Sequence, residues 1–74
     1  MDSAPVVVHE PSASGGRRVT IHRHGCDELL GLAHSDLDLV VFLEAAGLRD
    51  ADEVLDDPRW VEWRGLPAHQ WTVP

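Results

Sequence analysis

The stretch His22-Arg23-His24-Gly25-Cys26 holds two imidazoles and a thiol at alternate positions, the densest set of chemically capable side chains in the chain. Residues two apart in a strand share a face. His22, His24 and Cys26 could therefore converge on zinc or copper, which take nitrogen and sulfur donors, with His34 or His69 as a fourth ligand. Against this, Gly25 turns the chain and swings Cys26 out of line, and no second ligand pair follows at a familiar spacing. The simpler expectation is an exposed polar strand face with no metal and no cofactor. Cys26 is also a poor nucleophile by sequence: Asp27 and Glu28 follow it, whereas reactive thiols sit in electropositive surroundings.

Five acids crowd the eight residues from Asp50 to Asp57. A calcium loop needs ligands at alternating positions, a central glycine and a terminal glutamate, and this stretch has no glycine. Its carboxylates also exclude a recognition helix in a DNA groove. A solvated helix face is expected, with Asp52, Asp56 and Asp57 available to steer a basic partner. No G-x-S-x-G elbow or glycine-rich phosphate loop is present, and no acid–base carboxylate pair stands out among thirteen acids.

Three tryptophans fall within twelve residues. Trp63 and Trp71 read as core. Trp60 reads as outward-facing beside Arg64, the composition of an interface anchor, unless the second helix or the amino-terminal residues cover it.

The elements that would position these groups follow from pattern. Residues 1–16, punctuated by Pro5, Pro11, Ser12, Ser14, Gly15 and Gly16, are expected to form a flexible tail, with Val6–Val8 a candidate edge strand at most. The folded domain is expected to span 17–74. Arg18–His24 alternates as a half-buried strand, Gly25-Cys26-Asp27 forms a turn, and Glu28–Ala33 returns as a second strand weakened by Gly31. Ser35 caps a helix over Asp36–Ala46, with Asp36 and Asp38 in its first turn and Gly47-Leu48 as its stop. Apolar residues surround nearly the whole of that helix, which predicts burial on more than one side and marks Val41 and Phe42 as partner contacts.

Asp50 and Glu53 form a D-x-x-E capping box for a second helix ended by Pro58. Trp60–Arg64 and Ala68–Val73 then flank Gly65-Leu66-Pro67 as a hairpin, setting Trp63 opposite His69 and Val61 opposite Trp71. The expected architecture is α+β, a small single domain of order ββααββ, with two helices packed on one face of an antiparallel sheet.

A 74-residue chain supports one small, marginally stable domain. Its net charge of −7, with six arginines and no lysine, disfavours nucleic acid and anionic membranes and favours a basic protein surface. All-arginine cations also suit a GC-rich bacterial genome. One cysteine suits a reducing cytoplasm. The amino terminus lacks the basic start of a signal peptide, and no stretch reaches about 20 apolar residues, so a soluble cytoplasmic protein is expected. The functional expectation is a non-enzymatic protein–protein interaction module, a homodimer or an accessory subunit of a larger enzyme or regulator. Partner contact falls to Trp60, Arg64, Val41 and Phe42, and steering to Asp52, Asp56 and Asp57. The alternatives are a zinc or copper protein using His22, His24 and Cys26, and a precursor peptide whose folded leader presents Leu66–Pro74 for modification.

Overall fold

The structure, a computed structural model, describes residues 4–72. Residues 1–3 of the expected tail, and Val73 and Pro74 of the expected last strand, lie outside the described residues. Four strands and two helices follow the order β1 (Val6–Pro11), β2 (Arg17–Arg23), β3 (Cys26–Ala33), α1 (Asp36–Ala45), α2 (Ala51–Val54) and β4 (Val61–Trp63). They make a small α+β fold with one mixed sheet ordered β3-β2-β1-β4.

The expected purely antiparallel ββααββ sheet is corrected at both ends. Residues 6–11, expected within a flexible tail, form β1 in the middle of the sheet, with Val6 and Val8 fully buried. The small and polar residues after it are not tail punctuation. They make the loop of the β1–β2 hairpin, where Ser12 N–H donates to Gly16 O and Gly15 N–H to Ser12 O, both at 3.0 Å. At the other end, β4 pairs with β1 in parallel, Val6 with Val61 and Val8 with Trp63. Parallel neighbours need a crossover, and α1 and α2 supply it between β3 and β4.

Among the described residues the expected carboxyl-terminal hairpin does not form. After β4, residues 64–72 run as turns and irregular chain. The carbonyls of Arg64, Leu66, Pro67 and Gln70 all accept from the Arg17 guanidinium instead of a strand ladder. Trp63 nonetheless meets both His69 and Trp71, at ring-centroid distances of 5.2 and 5.4 Å.

The β2–β3 turn is also shorter than expected. His24 and Gly25 are its two central residues, with φ of 55° and 78°, the left-handed pair that matches strand twist in a two-residue hairpin. Cys26 thereby becomes the first residue of β3, opposite Arg23.

Helix α1 starts and stops as its sequence predicts. Ser35 Oγ accepts from Asp38 N–H at 3.2 Å. Gly47 takes φ 98°, its N–H donating to Glu44 O, and Leu48 N–H donates to Leu43 O, each at 3.0 Å, which is the double closure of a glycine-stopped helix. Helix α2 is only four residues long, and the expected capping box does not form. Asp50 is left-handed at φ 53° with no side-chain cap bond; its carbonyl takes Glu53 N–H instead, at 2.8 Å.

Val6, Val8, Val19, Ile21 and Val61 from alternating sheet positions pack against Leu39, Leu43, Ala51 and Leu55 from the helical layer. A bulge at β2–β3 places Gly31 under Phe42, where a Cβ would come within 2.8 Å of the ring. The missing side chain thus lets α1 approach β3. No helix among the described residues is long and apolar enough to cross a membrane.

Candidate functional site

The strands divide the histidine–cysteine set rather than gather it. His22 pairs across to Asp27, its Nδ1 lying 2.7 Å from Oδ1, while Cys26 pairs with Arg23 on the opposite sheet face. His24 occupies the turn between them. Among the described residues no group of three or more His, Cys, Asp or Glu side chains is placed to hold a metal. The low-priority candidates His22, His24 and Cys26 therefore do not form a common ligand set.

A cluster of polar side chains centres on His69. Its Nδ1 lies 2.7 Å from Asp36 Oδ2 and its Nε2 2.5 Å from Asp56 Oδ1, while Trp71 Nε1–H donates to Asp36 Oδ1 at 2.9 Å. Carboxylates only accept, so both imidazole nitrogens must carry protons to satisfy both contacts. The hydrogen bond to Asp56, and then that to Asp36, holds the His69 pKa above the ordinary histidine value against the opposing pull of burial. In that doubly protonated form the ring has no lone pair for base chemistry or metal ligation. It ties the carboxyl-terminal segment to the start of α1 and to the residues after α2.

Beside it lies Arg17, fully buried. Its Nε–H donates to His9 O at 2.7 Å, and its terminal amines reach the carbonyls of Val8, Arg64, Leu66, Pro67 and Gln70 at 2.7–3.4 Å. The guanidinium also lies 5.3 Å from the Trp63 ring centroid, within cation–π range. Burial pulls the Arg17 pKa below the ordinary arginine value. Sequence reasoning missed this group. Its one signal was position: Arg17 precedes Val19 and Ile21 on the inward phase of β2.

The residues singled out for partner contact separate into different surroundings. Trp60 is 44% exposed and lines an open, largely apolar groove of about 370 Å³ with Gly47, Leu48, Arg49 and Val54. Val41 is 52% exposed and Leu37 70%, one turn apart on the outward face of α1. Phe42, expected at the surface, is instead partly buried against the core over Gly31. Arg64, expected beside Trp60, lies with His9 and Arg18 on the sheet face away from the helices, bonded to Glu62. Burial, followed by the nearby positive charges of Arg64 and Arg18, lowers the His9 pKa.

The steering acids separate as well. Asp56 is held by His69. Asp57 is held by Arg59, whose hydrogen bonds pull its carboxyl pKa down. Asp52 is exposed on α2. No family model, curated protein or solved structure matches the chain, so its own geometry carries the functional assignment.

Proposed function

We propose that the chain is a non-enzymatic protein–protein interaction module, an accessory subunit that docks its helical layer on a basic surface of another protein. The observation that carries this reading is where the exposed apolar side chains stand. Leu37 and Val41 point outward from α1 and Trp60 opens beside α2, three of five exposed large apolar side chains, the others being Leu29 and Leu32 on β3; residues 36–57 of the helical layer hold eight acids against one base, Arg49. Exposed large apolar groups on a small domain mark contact surfaces. The same acids would set two copies against each other, because like charges brought together across an interface cost several kcal/mol. A basic partner removes that cost.

The test is capture from the source cell with the intact chain and with a Leu37→Ser, Val41→Ser, Trp60→Ala variant matched in circular dichroism. Each captured protein is then purified and recombined with both. A stoichiometric complex with a basic protein, formed by the intact chain and lost in the variant, is the expected result. Equal recovery by both would overturn the reading, as would a stable dimer of the chain alone with Leu37 and Val41 in its interface.

A further inference from the structure

The free edge of the sheet carries an inference on a different surface from the helical layer. Among the described residues β3 ends the sheet and pairs only with β2, while β4 at the other edge is three residues long. The two-residue turn at His24-Gly25 closes on Arg23 and Cys26, the hydrogen-bonded pair of such a hairpin. Alternation from that pair directs the backbone N–H and C=O of Asp27 and Leu29 away from β2, into the open edge. Leu32 lies opposite Arg18, two residues from the Thr20 that pairs with Leu29, and so repeats the same phase. His34 agrees with it, since its outward N–H is taken by Asp38 Oδ2 at 2.9 Å. No lysine or proline blocks β3, although these are common guards of an edge strand.

The β2–β3 bulge then decides what this edge fits. It inserts Leu30, which packs against the core, and so brings Leu29 and Leu32 onto the same outer face, 62% and 44% exposed. Three apart in a regular strand, they would face opposite sides. Leu32 and the His34 ring lie together over Gly16, which completes an outer row of Asp27, Leu29, Leu32 and His34. Read antiparallel against itself, that row is self-complementary. A two-fold axis between Leu30 and Gly31 sets Leu29 opposite Leu32 of the second copy and Asp27 opposite its His34. Asp27 holds its own His22 through Oδ1 alone, and the His34 imidazole makes no hydrogen bond among the described residues. Acid therefore meets imidazole at both ends of the row, and leucine meets leucine in the middle.

We propose that two copies of the chain join antiparallel along β3, making one continuous sheet with the leucine pairs at its centre. Each leucine pair exchanges both of its backbone hydrogen bonds and buries its side chains on the outer face. The net charge of −7 on each copy opposes this at long range, and physiological salt screens that repulsion beyond about 8 Å. Leu37, Val41 and Trp60 are not part of the joint, so the dimer presents its helical layers unobstructed.

The experiment combines light scattering across a concentration series with amide hydrogen exchange on the nitrogen-15-labelled full chain, both at physiological salt. A concentration-dependent dimer is expected, with the amides of Leu29 and Leu32 unprotected in the monomer and slowed as the dimer fills. Leu29→Ser and Leu32→Ser should each weaken association by about tenfold or more, with circular dichroism unchanged. His34→Asp sets like charges opposite one another and should weaken it a few-fold. Leu37→Ser should leave it unaltered. Because the exchange measurement uses the intact chain, it decides the matter even where a serine variant fails to fold. A monomer at millimolar chain would overturn the proposal, including one whose edge is taken by another protein's strand. So would a dimer in which the Leu29 and Leu32 amides still exchange fast. A dimer lost in Leu37→Ser and kept in Leu29→Ser would overturn this proposal and the accessory-subunit reading together, whereas a plain monomer leaves that reading standing.

Discussion

Trp60 and Trp63 stand three residues apart at the return of the crossover. Trp63 is partly buried and tied in: its indole N–H donates to Leu55 O at 2.9 Å, Arg17 lies over its ring, and His69 and Trp71 pack against it. Trp60 has its backbone fixed and its side chain 44% exposed over a groove. The same residue type serves the fold where its polar atom and its ring find partners, and stays available where they do not. Composition alone does not separate the two; the surroundings do.

The strongest way to break this comparison is to remove the group that lies over Trp63. Arg17→Met should cost about 3–5 kcal/mol, because the carbonyls it serves lose their donor and the charged hydrogen bonds go with it. A chain of this size holds only about 4–11 kcal/mol in total, so the variant should be largely unfolded in urea titration. Arg17→Lys should not rescue it, since an ammonium cannot span the same fork of acceptors. A loss under 1 kcal/mol in either variant would remove Arg17 from the centre of the fold. Deleting residues 66–74 takes away the acceptors on Leu66, Pro67 and Gln70 and should also unfold the chain. A truncated chain that keeps native stability would instead revive the reading of Leu66–Pro74 as a dispensable segment presented for modification.

Trp63→Ala comes next, at about 3–5 kcal/mol, the cost of emptying a large aromatic site. Thermal melting of Trp63→Ala beside Trp60→Ala puts the two positions on one scale, and equal losses would erase the distinction drawn between them.

What was legible in the sequence follows the same division between local and long-range causes. Ser35, Asp38, Gly47 and Leu48 act within one helical turn, and both ends of α1 were readable from them. The alternation of Val19 and Ile21 likewise gave β2. The place of Val6–Val8 was not readable, because a strand of three valines is decided by its neighbours: β2 and β4 lie on either side of it, and β4 arrives some 55 residues later in the chain. The hairpin expected from Gly65-Leu66-Pro67 failed for a related reason. The turn residues bend the chain as expected, but the carbonyls around them were claimed by an arginine 47–53 residues away. Of the candidate site, the sequence pattern leaves Trp60 open between exposure and cover by the second helix or the amino-terminal residues; it stands 44% exposed, and Val41 52%. The burial of Phe42 was not foreseen, since it depends on Gly31 lying beneath it.

The tie at His69 sharpens the comparison by pH. A histidine whose pKa is raised on folding stabilises the fold fully below its unfolded value, here 6.5, and that contribution fades as pH climbs through the higher folded value. Asp36, Asp56 and Trp63 are the groups that face it, and Trp71 holds Asp36 from behind. His9 works in the opposite sense: its pKa is lowered, so its contribution is present at higher pH and is lost as pH falls. The informative quantity is therefore the difference in stability between the intact chain and His69→Asn. That difference should shrink as pH rises above 6.5 and reach a plateau beyond the folded value. A difference independent of pH from 5 to 9 would mean that the His69 pKa is the same folded and unfolded, and that Asp36 and Asp56 do not hold its proton.

The smallest expected effect on stability is the most decisive for function. Trp60→Ala removes a half-exposed indole that makes no hydrogen bond among the described residues, and surface substitutions of this kind stay within about 0.5 kcal/mol. The turn that carries it survives, because the bonds from Trp60 N–H to Asp57 O and from Val6 N–H to Trp60 O belong to the backbone. The melting temperature should therefore stay within a few degrees of the intact chain, since 1 kcal/mol corresponds to about 4–8 °C in a domain of this size. A loss comparable to that of Trp63→Ala would make Trp60 a core residue whose exposure is incidental, and the groove beside it a packing defect. An unchanged melt together with loss of partner binding would leave Trp60 no structural duty at all, and its exposure would then serve the partner it meets.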